Sequence, residues 1–343
     1  MRKYKKILIW TTIAVVLQQV VFLYIEKIYL KPDKELNVKE VTDRGSKEGK
    51  LEVSIRESID GIKVSSTGRY IAYLDNNKIK VLDSTEDIEK EVESMGEVVF
   101  YKWLSNEDSI LIVQKIKEKN GYYFEPISFS AKKGEVRELS DFDMKDVRIK
   151  LENKWDKIDS AVFSNITHSL YIKVKKSSGK SDLYYSNIMN QIEKVRSNKN
   201  IGDMVVPATS SKLVMELDSK ITILDSSGNI LIPNTKKAAI LGSDINDNVY
   251  FGEIVEGKVK RILYCVLSES ERKWNELKLS EPVDKEDIQV DYSGKVYVNY
   301  KKDNKVVELI SDKRINYEGE FVQGYSKGIV STNGNKLIKT PID

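Results

Sequence analysis

Residues 59–82, IDGIKVSSTGRYIAYLDNNKIKVL, read as three short strands joined by two tight turns. Ile59–Val64, Tyr70–Leu74 and Lys78–Leu82 are the predicted strands; Ser65-Ser66-Thr67-Gly68 and Asp75-Asn76-Asn77 are the turns. β-Branched and aromatic runs bounded by Gly, Asn, Asp and Ser are the usual hairpin signal. The middle strand is apolar on both faces, with Tyr70, Ala72 and Leu74 on one and Ile71 and Tyr73 on the other. An antiparallel strand with no wet face must be covered on both sides, so sheet has to pack on sheet.

The same unit returns along the chain. First-to-second-strand turns centre near Gly68, Asp108, Thr167, Ser211, Asp247, Gly294 and Lys327. Their period of roughly 40–45 residues, with four strands per unit, is that of a propeller blade. The expected strands include Gln191–Val195 closing the third unit and Asn229–Ile232 closing the fourth. The expected fold is all-β, a seven-bladed β-propeller over residues 51–343, with six or eight blades left open by the weaker units. The last unit has only three strands, and Leu51–Arg56, alternating at Leu51, Val53 and Ile55, is the natural fourth. An irregular sandwich or two smaller β domains would also use short strands. The recurrence of four-strand units, with no linker dividing 51–343, favours the propeller.

Ser65, Gly68, Ile71, Ala72, Tyr73, Ile79, Val81 and Asp83 resemble the repeat of the TolB-like and WD40-like propellers. Trp103, Ser105 and Asp108 retain part of it in the second unit, and Ile221, Ile223 and Asp225 in the fourth. The resemblance implies a propeller and no particular activity. No counterpart of the α/β domain of TolB or of the hydrolase domain of prolyl-oligopeptidase-like peptidases is expected here.

The N-terminal part is different in character. Residues 7–25, ILIWTTIAVVLQQVVFLYI, carry no formal charge and would span roughly 28 Å as a helix, close to the hydrocarbon thickness of a bilayer. Arg2, Lys3, Lys5 and Lys6 precede them, which predicts a short cytoplasmic tail at 1–6 and an extracytoplasmic remainder. The exit, Phe22 to Lys27, has no small-residue cleavage step, so an uncleaved transmembrane helix (a signal-anchor) is expected rather than a signal peptide. Residues 26–50 are polar and punctuated by Pro32, Gly45 and Gly49, a solvated stalk.

Residues 1–31 hold six basic side chains against Glu26 alone, which accounts for the net charge of +3; the remainder is near neutral with mixed signs. That argues against a nucleic-acid partner, which needs a basic face. Lys, Ile and Asn are used heavily, the habit of AT-rich bacterial genomes. Cys265 is the lone cysteine and His168 the lone histidine, so no disulfide, imidazole-based metal site or Ser-His-Asp triad is expected. His168 reads as a solvated turn residue. No phosphate-binding glycine loop or nucleophile elbow is present. Asp141, Asp143 and Asp146, and Asp244 with Asp247, are acidic loop clusters without calcium-loop spacing.

The insertion at 140–157 alternates at Val147, Ile149 and Leu151, suggesting a strand in an extra hairpin arm. Phe142, Met144 and Trp155 make it a candidate partner-docking element. No catalytic residue, cofactor or metal is expected. The sequence therefore points to a non-catalytic, membrane-anchored scaffold or protein-interaction module at a bacterial cell envelope, with an envelope protein as partner. An enzyme using acidic residues near the channel on an envelope glycan or peptide is the alternative, and an extracytoplasmic sensor domain the third reading.

Overall fold

The computed structural model describes residues 10, 17–19, 51–54, 60–105, 107–138, 147–187, 192–226, 228–268 and 272–342. The chain divides into two units, Met1–Gly49 and Lys50–Asp343. In the first, Trp10 and residues 17–19 are helical and exposed; the rest of the expected span, and the stalk, lie outside the described residues. No helix among the described residues is long and apolar enough to cross a membrane.

The second unit is a seven-bladed propeller. Blade 1 runs Asp60–Val64, Tyr70–Asp75, Lys78–Asp83, Ile88–Glu91, each strand antiparallel to the next. Blade 2 runs Glu97–Trp103, Ser109–Glu118, Gly121–Ser130, Glu135–Glu138. Blade 3 is Lys157–Ser164, Ser169–Lys175, Ser181–Ser186, Glu193–Lys199, and blade 4 is Ile201–Val205, Val214–Leu217, Lys220–Ile223. Blade 5 is Ala238–Ser243, Asn248–Val255, Lys258–Val266, Asn275–Val283, and blade 6 is Ile288–Val290, Val296–Tyr300, Lys305–Glu308, Lys313–Asn316. Blade 7 combines Glu320–Tyr325, Gly328–Asn333 and Lys336–Pro341 with Leu51–Ser54, which pairs against Lys336–Lys339 as the outermost strand. The ring is thus closed by the strand that the alternation at the start of the domain predicts.

Each second strand is buried on both faces, and blade 1 shows why. Tyr70 and Ala72 pack with Tyr101, Trp103 and Ile110 of blade 2, while Ile71 and Tyr73 pack with Tyr325, Val330 and Leu337 of blade 7. An apolar cluster fills every junction between neighbouring blades, so the core is a ring of seven separate cores rather than one centre. Gly68 is required at its turn twice over. Its φ of +73° is left-handed, and a Cβ there would lie 2.4 Å from the Tyr325 ring across the blade 7 junction.

Three expectations need correction. The outer strand of blade 3 is Glu193–Lys199, later than Gln191–Val195. Bulges in its pairing with Ser181–Ser186 carry the ladder to Lys199, and an outer strand this exposed has little apolar pattern to mark its ends. Asn229–Ile232 does not form a strand: among the described residues it makes one bridge, Thr222 to Asn229, and Ile230 N–H donates to the Ile221 carbonyl. Ile230 is buried but Leu231 is 83% exposed, and Pro233 cannot donate to a ladder.

The described part of the insertion, from Val147 onward, lies against blade 2 rather than standing out as an arm. Its short strand Ile149–Lys150 pairs with Tyr123 and Phe124, beside Glu135–Glu138 on the same edge of blade 2. Val147 and Ile149 are buried, and Leu151 packs into the junction of blades 2 and 3. Arg148 pairs with the buried Glu125 and with Glu118, and Glu152 receives Lys176 and Lys194 of blade 3. The alternation is real, but its apolar side faces the propeller wall. Lys157, counted within the insertion, already begins blade 3.

Candidate functional site: the central channel

The inner strands of the blades face a channel in two adjoining sections. One, of about 240 Å³, is lined from blades 2 to 6; the other, of about 530 Å³, is lined from blades 6, 7, 1, 2 and 3. Lys102, Trp103 and Ala161 border both.

Strand register gives the lining an order. In every blade a buried aliphatic residue sits near the start of the second strand: Ile71, Ile110, Leu170, Val214, Val249, Val296 or Ile329. The inner-strand residue opposite the next position is Lys63 in blade 1 and Lys102 in blade 2. It is Val162, Met204 and Gly242 in blades 3 to 5. Gln289 and Gln323 fill it in blades 6 and 7. All seven residues line the channel. The ring is lopsided: two ammonium groups, an apolar arc, two amides.

Four of these side chains stitch their blade to the next. Gln289 Nε2 donates to the Gly324 carbonyl at 3.0 Å and its Oε1 accepts from Gly324 N–H at 2.7 Å. Gln323 does the same with Val64, donating to its carbonyl at 2.9 Å and accepting from its N–H at 3.2 Å. Lys63 Nζ donates to the Tyr101 carbonyl at 2.6 Å, and Lys102 Nζ to the Ala161 carbonyl at 3.4 Å. Trp103 Nε1 returns a bond to the Lys63 carbonyl at 2.9 Å.

The lysines carry a charge that the amides do not. Lys63 Nζ lies 4.5 Å from the centre of the Tyr101 ring and 5.4 Å from that of Phe100, faces that attract a cation. Neither lysine meets a carboxylate among the described residues. Burial, and secondarily the charge of Lys102, lowers the Lys63 ammonium to about 8. Burial also pulls Lys102 down, although its side chain is reached by solvent from within the channel. Lys173, between blades 3 and 4, is the contrasting case: it donates to the Gly202 carbonyl at 2.6 Å and also pairs with Asp159 at 2.6 Å.

Among the described residues, no Asp or Glu lines either section. Asp244 is buried as a turn brace, accepting from Asn246 N–H, Asn248 N–H and Nδ2, and Tyr250 OH. Asp247 accepts from Thr209 N–H and hydroxyl in the preceding blade. His168 is exposed in its turn with φ +53°. Trp155 is 66% exposed, with Lys154 Nζ 4.8 Å over its ring, and is not brought near the channel lining. Phe142, Met144, Asp141, Asp143 and Asp146 lie outside the described residues. No group of three or more His, Cys, Asp and Glu side chains that could hold a metal gathers among the described residues. Sequence reasoning misses Lys63, Lys102, Gln289 and Gln323. Aligning the units on their first turns puts these polar residues four to six positions before the turn, and that loose alignment is the available signal.

No protein-family model and no curated protein sequence matches the chain. Solved structures share its fold. An oligogalacturonate lyase in complex with manganese superposes with a TM-score of 0.56 at 9% identity, covering 86% of this chain and 91% of the lyase. The β-propeller domain of the trilobed protease from Pyrococcus furiosus gives 0.44 at 16% identity, covering 76% and 82%. The WD40 domain of SCAP from fission yeast gives 0.44 at 11%, covering 84% and 82%.

Proposed function

We propose that the chain is a non-catalytic interaction module, a seven-bladed propeller held at the outer face of a bacterial membrane by residues 7–25 and a polar stalk, engaging a protein of the envelope. The lining of the channel is the observation that supports this most. An acid–base enzyme acting in the channel needs carboxylates or comparable groups converging there. Among the described residues the lining offers ammonium, amide, hydroxyl and apolar groups without a carboxylate, and of the five loop acids that sequence singled out, Asp244 braces its own turn and Asp247 ties that turn to the preceding blade. The lyase with the shared fold was solved with manganese. With no set of three or more candidate ligands gathered among the described residues, no metal-dependent step is carried over.

Crosslinking in intact membranes, followed by identification of the adducts of the full-length chain, tests the reading. A specific envelope protein is expected, and a chain that stays alone removes the proposal. Protease shaving of whole cells tests the address: digestion from Leu51 onward is expected, and survival of the propeller overturns the outward orientation.

A further inference from the structure

We infer that the channel is an oxyanion-binding site, taking a carboxylate or phosphate group between Lys63 and Lys102. The inference rests on the interaction-module reading and gives it a ligand chemistry.

These lysines bring something to the ring that a neutral residue would not. Joining a blade to its neighbour does not require charge: Gln289 and Gln323 do it at equivalent positions with a matched donor and acceptor. A lysine in that role supplies one donor and brings an ammonium into a cavity walled by Phe100, Trp103 and Ala161. Charge withdrawn from water costs free energy unless it is paired. Lys63, half-buried, bears that cost; Lys102 on the adjacent blade is reached by solvent but adds repulsion, and neither has a carboxylate partner among the described residues. Each ammonium has three N–H donors, and one is assigned to a carbonyl. The remaining donors can serve an anion, and charge-assisted bonds of that kind are the strong ones. The second section, about 530 Å³, has room for a small ligand. Ser160 lines the same section, and its hydroxyl has no hydrogen-bond partner among the described residues. Binding would offset the desolvation of Lys63 and the mutual repulsion together.

The test uses the full-length chain in nanodiscs, titrated calorimetrically with inorganic phosphate and, separately, with malonate at neutral pH. Saturable binding of at least one is expected, weakened at least tenfold in Lys63→Gln and Lys102→Gln. Those variants are chosen because glutamine keeps the stitch and removes only the charge. Preference for phosphate assigns the site to phosphate esters, preference for malonate to carboxylates. A parent-only arm follows the Lys63 Cε resonance through a pH titration, where saturating anion should raise its midpoint from about 8. Absence of saturable binding by either probe overturns the inference, as does unchanged affinity in folded glutamine variants or an unmoved Lys63 midpoint. The outcome is separable from the module reading: anion binding with no envelope partner captured removes only the latter, and chemical conversion of a bound anion would replace it with catalysis.

Discussion

On one side of the channel Gln289 and Gln323 reach the next inner strand with a neutral amide that both gives and accepts; on the other, Lys63 and Lys102 reach it with an ammonium that only gives. The positions are equivalent in register, and the contact made is a bond to a neighbouring backbone in both cases. Closing the ring and charging its lining are therefore separate requirements. The amide arc meets the first alone, whereas the lysine arc accepts an electrostatic cost that ring closure does not demand.

Exchanging the arcs should have the largest effect. Gln323→Lys deprives Val64 N–H of its acceptor and adds a third cation to the channel. Together these should cost about 3–4 kcal/mol, read as the shift in a urea-unfolding midpoint. A change below about 1 kcal/mol would mean that the two arcs are interchangeable. Gln289→Ala is a milder cut. It leaves Gly324 N–H and carbonyl without their amide, and a loss of about 2 kcal/mol is expected by the same measurement.

The opposite sign is expected on the other arc. Lys63→Gln should stabilise the protein by about 1–2 kcal/mol at pH 7, since the folded state holds Lys63 below the unfolded lysine value of 10.5. The burial penalty applies in full while the ammonium is charged in both states, below about pH 8. It fades as pH rises from about 8 toward 10.5, where the unfolded chain binds the extra proton. The gap between parent and variant should therefore close between pH 7 and pH 10 in paired unfolding curves. Lys102 and Tyr101 are the titratable neighbours facing Lys63 from blade 2, so the same pair of curves should be run in a Lys102→Gln background. The smallest effect belongs outside both arcs: Trp155→Ala, at an exposed site, should change stability by less than about 0.5 kcal/mol.

Much of the architecture is legible in the amino-acid sequence, because blades are made of what sequence shows best. Doubly apolar second strands such as Tyr70–Asp75, and turns that demand a residue such as Gly68, recur at a measurable spacing. The outer edges are less legible. Glu193–Lys199 is largely exposed, and the segment after Gly228 loses its ladder after one bridge, so neither is fixed by burial. The channel is the least legible part. Lys63 and Gln323 are ordinary polar residues in alternating strands, and the bonds between Val64 and Gln323 cross 259 positions of sequence. Their grouping exists only once seven inner strands surround one axis. Asp244 and Asp247 are conspicuous in the sequence for a different reason: acids cluster in turns, where Asp244 braces its own turn and Asp247 ties it to Thr209 of the preceding blade.

The pairing of Leu51–Ser54 with Lys336–Lys339 also sets a clock on biosynthesis. The sealing strand is among the first parts of the domain to be made, yet its ladder partner follows about 285 residues later, roughly 15–60 s at ordinary translation rates. Throughout that interval the face of blade 1 that carries Ile71 and Tyr73 waits for Tyr325, Val330 and Leu337 to cover it. Each later blade is covered by its successor within one repeat, but blade 1 must remain uncovered until blade 7 has emerged. A chain cut short before Glu320 would never lose that sticky surface, and holdase chaperones or proteases should distinguish finished from unfinished molecules there.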